Sequence, residues 1–93
     1  MLELPPDATL ETVLERVERN PSRLAVYAFF VAKLAARDEQ SPYVFFNQLL
    51  GVALGKRISE GAARRCLYKG FSAALKYDQP PAWVVLDTVG MGA

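Results

Sequence analysis

Hydrophobic residues recur at helical spacing in several stretches of the chain, and prolines, glycines and polar residues separate these stretches. In the first stretch the apolar side chains stand at positions i, i+3, i+4 and i+7: Leu10, Val13, Leu14 and Val17. This spacing places them along one side of an α-helix, and most of the remaining positions are polar. The pattern predicts a surface helix that begins at Asp7 or Thr9, either of which can cap it.

The run over residues 24–36 is apolar on nearly all sides, and only Lys33 interrupts it. A helix with this pattern is enclosed by other helices or by a second subunit. Asn20 and Pro21 precede the run in the order of an N-cap followed by a proline at the first helical position. We therefore predict that this helix forms the centre of the domain.

Two further helices are predicted on either side of a turn at residues 55–58. Ser41 and Pro42 mark the start of the first, and Gly55 marks its end. Its apolar stripe consists of Phe46, Leu49, Leu50 and Ala53. Ser59 caps the second helix, in which one row of positions carries small residues: Ala62, Cys66, Gly70 and Ala73. Such a row lets a neighbouring helix approach closely.

The last fifteen residues, 79–93, are predicted to form a short docking helix. Pro80 and Pro81 break the preceding helix, and apolar residues then recur at helical spacing before Gly90: Ala82, Val85, Leu86 and Val89. The β-branched residues of this segment also suit an extended tail that pairs with a partner. Trp83 is expected to be buried.

The chain has 93 residues, of which 52% are hydrophobic and 23% charged, and its net charge is +1. This is the length of one small domain, and the apolar fraction is too high for intrinsic disorder. We predict one all-α domain of four to five short helices packed around a central apolar helix, with a short lead over residues 1–6. No apolar run reaches the ~18 residues of a membrane-spanning helix. No signal peptide is recognised, so we expect a cytoplasmic protein.

The missing residue types limit the chemistry. There is no histidine, which removes the commonest general base and the usual zinc ligand. The single cysteine, Cys66, falls in the row of small residues, which indicates a buried structural thiol, although Arg65 beside it would favour a reactive thiolate. The acidic pair Glu11 and Glu15 lacks the apolar pocket that acid–base catalysis requires. We therefore expect no enzymatic activity, no metal and no cofactor.

Positive charge is concentrated in one part of the chain. Residues 51–76 contain six basic residues and one acidic residue, whereas acidic residues predominate before and after them. The predicted basic face of the fourth helix and its preceding turn comprises Lys56, Arg57, Arg64, Arg65, Tyr68 and Lys69. Such a surface attracts acidic proteins or phosphates, and its simplest interpretation is a solvated helix face.

Aromatic side chains are numerous for a domain of this size, which buries only about 60–65% of its unfolded surface. The candidate association surface consists of Phe29, Phe30, Phe45, Phe46 and Trp83. We therefore predict a small interaction protein of the regulator or inhibitor type. It would form a homo-oligomer, a dimer in the first instance, and engage an acidic partner through the basic face of its fourth helix.

The alternative is a DNA-binding regulator. Residues 43–76 have the order of a helix-turn-helix, in which a short turn with a glycine separates two helices. The cations of the second helix, Arg64, Arg65 and Lys69, would face the DNA bases. The cations of the turn, Lys56 and Arg57, would contact the DNA phosphates. A third interpretation is a binder of a small phosphate-bearing ligand at the start of the fourth helix. The glycine spacing before Lys56 does not fit a P-loop.

Overall fold

The computed structural model describes residues 8–90, which form five α-helices and two short 3-10 helices without a β-strand. The α-helices are α1 (Leu10–Arg19), α2 (Leu24–Arg37), α3 (Phe46–Gly55), α4 (Glu60–Lys76) and α5 (Ala82–Val85). The 3-10 helices Pro21–Arg23 and Pro42–Phe45 precede α2 and α3. The all-α prediction is confirmed for these residues, whereas the predicted lead over residues 1–6 lies outside them.

Helix α2 lies at the centre of the molecule and packs against α1, α4 and α5. Every side chain from Leu24 to Ala32 is buried, so α2 is enclosed on nearly all sides, as its apolar pattern predicts. Helices α1 and α3 turn their predicted stripes inward. Val13 and Val17 of α1 are fully buried, and all four stripe residues of α3 belong to the core.

Helices α4 and α2 approach each other closely at Gly70. A Cβ atom on Gly70 would collide with the carbonyl oxygen of Ala25, and it would lie 2.7 Å from the Cβ of Ala28 and 2.8 Å from the backbone nitrogen of Phe29. Only a glycine permits this contact, because a side chain here meets backbone atoms that cannot move aside. The predicted row of small residues therefore does bring a second helix close.

The turn between α3 and α4 has a defined hydrogen-bonding geometry. Helix α3 ends at Gly55, as predicted, but Arg57 is the residue that adopts the left-handed conformation, with φ of 66°. The backbone N–H of Ile58 donates to the carbonyl of Ala53 at 3.1 Å, and the Ile58 side chain is buried, as in a Schellman motif. The hydroxyl of Ser59 then caps α4.

The sequence predicts the capping residue correctly for some helices and not for others. The hydroxyl of Thr9 accepts a hydrogen bond from the N–H of Thr12 at 3.2 Å and caps α1 as expected. Asn20 does not cap α2, because its Oδ1 accepts a hydrogen bond from the hydroxyl of Ser22 at 3.0 Å. Pro21 begins a 3-10 turn instead of the α-helix itself.

The C-terminal segment, residues 78–90, differs from its predicted pattern. Helix α5 is a single turn, and the buried side chains are Val84 and Val89. Leu86, which belongs to the predicted apolar stripe, is 72% exposed, and Trp83, which the sequence places in the association surface, is 49% exposed in the single chain. A helix of one turn is too short for the 3.6-residue period to determine which side chains face the core. The last three residues of the predicted segment 79–93 lie outside the described chain.

We expect Gly70→Ala to lower the free energy of unfolding by about 2–3 kcal/mol, because overpacking a tight contact usually costs that much. Thermal unfolding followed by circular dichroism should show a decrease in Tm of about 10 °C or more. Gly51→Ala is the matched control, since an added Cβ at this exposed α3 position has no atom within 4 Å. It should raise Tm slightly because alanine favours helix. Equal Tm values for the two variants would contradict the close approach.

Candidate interaction surface

An exposed apolar surface lies where α4 passes the second 3-10 helix. Three large side chains form it: Tyr43, Tyr68 and Leu75, each half-exposed or more. The ring centroids of the two tyrosines are 6.4 Å apart, and Leu75 and Tyr43 line the same groove. Leu75 is 87% exposed, more than any other large hydrophobic side chain of the described residues. We call these three residues the apolar face.

The groove beside the apolar face lies between the C-terminal half of α2 and α4, and its volume is about 190 Å³. Its walls include Ala32, Ala36, Tyr43, Phe71, Ala74 and Leu75. Alanines from both helices keep this space open, because their methyl groups do not fill it. The groove is therefore an apolar recess beside a projecting leucine.

Buried aromatic rings support the apolar face from below. The Tyr43 ring meets the ring of Phe71 edge-on at a centroid distance of 5.4 Å, and the Tyr68 ring lies 5.2 Å from that of Phe46. Phe46 and Phe71 are themselves in contact, at 6.2 Å. The guanidinium of Arg64 lies 5.6 Å from the centroid of the Phe46 ring. These contacts hold both tyrosines in place before any partner binds.

The helical period explains why these residues meet. Tyr68, Phe71 and Leu75 follow one another at spacings of three and four residues, which places them along one side of α4. Sequence analysis assigned Tyr68 to the basic face and missed Tyr43 and Leu75. The spacing on α4 was a usable signal, but no sequence pattern indicates that the turn containing Tyr43 packs beside it.

The structure corrects the predicted association surface. Phe29, Phe30 and Phe46 are buried inside a single chain, so these three side chains belong to the core and are not available to a second subunit. Phe45 is partly buried against the same core. Trp83 remains half-exposed, with its ring 6.3 Å from that of Tyr77.

The predicted basic face is divided by an ion-pair cluster. The Lys69 ammonium and the Arg65 guanidinium both donate to Oδ2 of Asp87, at 2.9 and 3.3 Å. The Asp87 side chain is only 10% exposed. These two cations therefore attach the C-terminal segment to α4, which the sequence did not indicate.

Two backbone contacts also attach the C-terminal segment. Nη1 of Arg23 donates to the carbonyl of Val85 at 2.7 Å, and the N–H of Val89 donates to the carbonyl of Ser22 at 2.9 Å. The segment is thus held against both α4 and the start of α2.

The remaining residues of the basic face lie at the α3–α4 corner. Nε of Arg64 donates to Oε2 of Glu60 at 3.0 Å, a pair one helical turn apart. Lys56 and Arg57 are exposed in the turn and form no ion pair with residues 8–90. The helix-turn-helix order of residues 43–76 is present, but the three α4 cations expected to face DNA already have acidic partners within the chain.

Cys66 is buried between α4 and its neighbours. Burial raises the pKa of its thiol, and the negative charge of Asp87 raises it further, while the nearby cations Arg65 and Lys69 oppose this shift. The environment therefore favours the protonated, unreactive form.

No protein-family model, curated protein or solved structure is significantly similar to this chain. Within residues 8–90, no helix combines the length and apolar character needed to cross a membrane. The same residues contain no cluster of three or more acidic or cysteine side chains that could hold a metal ion.

We expect Asp87→Asn to lower the free energy of unfolding by about 1–2 kcal/mol, because it weakens two hydrogen bonds to charged groups that solvent only partly screens. Urea unfolding measures this change. Asp78→Asn is the control, since Asp78 is exposed and forms no ion pair with the described residues. Its effect should stay within about 0.5 kcal/mol. An equally small effect of Asp87→Asn would show that the cluster does not stabilise the fold.

We expect Cys66 to react with iodoacetamide far more slowly in the folded protein than in urea at pH 8, because the thiol is inaccessible and its pKa is raised. Mass spectrometry after timed alkylation measures both rates, and similar rates would contradict the buried thiol.

The same shift predicts a pH dependence of stability. The pKa of the Cys66 thiol is higher in the folded protein than in the unfolded chain. Its contribution to the free energy of unfolding is therefore complete below about pH 8.5 and is lost as the pH rises through the folded-state pKa. The free energy of unfolding of Cys66→Ala should not show this loss at alkaline pH.

Proposed function

We propose that this protein is a non-enzymatic interaction protein, of the regulator or inhibitor type, that self-associates through the apolar face. The observation that supports this is the position of Leu75, which projects into solvent beside an apolar groove. Contiguous exposed apolar surface is typical of interaction sites, and a leucine and an apolar recess that lie side by side both gain free energy when a partner covers them.

The size of the apolar face suits an interface. From their exposed fractions, Tyr43, Tyr68 and Leu75 together present on the order of 300 Å² of surface. A standard interface buries about 800 Å² per partner, of which about 450 Å² is apolar. The walls of the groove add further apolar surface beside the face. The apolar face therefore supplies about two thirds of the apolar area of such an interface, and the surface around it would supply the rest.

An acidic partner remains part of the proposal, but the surface that it would meet is smaller than the sequence suggests. Because Arg65 and Lys69 bind Asp87, the exposed charges available to it are mainly those of Lys56 and Arg57. The same ion pairs make DNA binding the less favoured alternative. A single buried cysteine suits a reducing compartment, and we propose a cytoplasmic location.

We expect the wild-type protein to have the mass of a dimer, and Leu75→Asp to have the mass of a monomer, because the substitution places a charge at the centre of the interface. Sedimentation velocity between about 5 and 100 µM measures the mass, a range that covers the affinity of typical transient interfaces. Leu86→Asp is the matched control, since Leu86 is the next most exposed leucine of the described residues and lies on the C-terminal segment.

Circular dichroism should show unchanged helicity in both variants, since neither side chain contributes to the core. A monomeric wild type at the highest concentration would refute self-association. Dissociation by Leu86→Asp but not by Leu75→Asp would move the interface to the C-terminal segment.

A further inference from the structure

We infer that two copies of the chain associate about a two-fold axis, with Leu75 of each copy inserted into the groove of the other. The inference rests on the proposed self-association and specifies its geometry. In a two-fold interface, each contact between a residue of one copy and a residue of its partner occurs twice. A self-complementary surface of this kind needs a projection and a recess on the same face, and Leu75 and the groove provide both.

The groove has the size and chemistry to hold a leucine side chain. An apolar cavity of about 150 Å³ accommodates benzene, which has more carbon atoms than the side chain of leucine. The groove volume is about 190 Å³, and methyl groups of Ala32, Ala36 and Ala74 line it beside the Phe71 ring. These surroundings favour an aliphatic occupant.

Lys33, the cation that residues 8–90 place on the groove wall, does not call for an acidic occupant. Nζ of Lys33 donates to the carbonyl of Ala74 at 2.7 Å and lies 5.4 Å from the centroid of the Phe29 ring. Its charge is therefore already stabilised within the chain.

The other prominent leucine fits the groove less well. Leu86 lies on the C-terminal segment, which contacts Arg65 and Lys69 on a different side of α4 from Leu75. Insertion of Leu86 into the groove of a second copy would join two different surfaces. Such a contact does not close on itself unless the copies form a ring, and it gives longer assemblies instead of a dimer.

Two variants test the reciprocal insertion. Leu75→Ala removes the projecting side chain, and Ala36→Leu partly fills the recess. Ala36 is solvent-exposed near the end of α2, and leucine favours helix, so the fold should tolerate this change. Each variant alone loses both reciprocal contacts. We expect each to raise the dimer Kd at least about 30-fold, the loss typical of a central interface residue.

Mixing the two variants is the decisive measurement. In a mixed pair, the intact Leu75 of one chain meets the open groove of the other, which lacks only the wall that its own residue 75 supplied. The shortened residue 75 meets the filled groove. One contact is therefore largely kept, and the other becomes a large-for-small exchange of similar volume. Native mass spectrometry, which separates the pairs by mass, should show mixed dimers well above twice the amount of either self-pair, which is the ratio that random pairing gives. Their Kd should lie within about tenfold of the wild-type value.

Each result decides between the proposals. A wild-type dimer whose Kd is unaffected by Ala36→Leu, or whose two variants form mixed pairs only in the proportion that random pairing gives, overturns the reciprocal insertion and leaves self-association intact. A monomeric wild type overturns both. Loss of helicity in Leu75→Ala would be unexpected for so exposed a residue, and Leu75→Gln then replaces it in the same mixture.

Discussion

Gly70 brings the backbone of α4 against α2, and the remaining surface of the molecule is arranged around this contact. Dispersion forces and apolar burial increase as two helices approach, and a residue without a side chain permits the closest approach. The contact determines the distance between α4 and α2. The groove lies between the same two helices, towards one end of the pair. It also determines which sides of α4 remain exposed.

The exposed residues of α4 lie on two sides of the helix, and the two sides make different contacts. On one side, Tyr68 and Leu75 adjoin the turn that carries Tyr43 and form an apolar surface over buried aromatic rings. On the other side, Arg65 and Lys69 hold Asp87 and fasten the C-terminal segment. The basic helix, which the sequence presents as a ligand-binding surface, is therefore partly a structural element, while its less conspicuous apolar side is exposed.

The sequence-based predictions are more accurate where the hydrophobic pattern behind them is longer. The stripes of α1 and α3 and the enclosed run of α2 span several turns, so their period identifies both the helix and its buried side. Asn20 and the C-terminal segment depend on single residues or one turn of helix, and there neighbouring contacts decide the outcome. The candidate site was predicted least well, because Tyr43 and Leu75 lie far apart in the chain and only packing brings them together.

The sequence by itself determined that this chain is helical, which run forms its centre and where a second helix can approach. Those features depend on periodicity, capping and side-chain size, which are local properties of the chain. Only the tertiary structure decided that Phe29, Phe30 and Phe46 are core residues, that Asp87 neutralises two cations of α4, and that Leu75 stands beside an open groove. Burial, ion pairing and surface shape depend on residues distant in sequence, so no local pattern contains them.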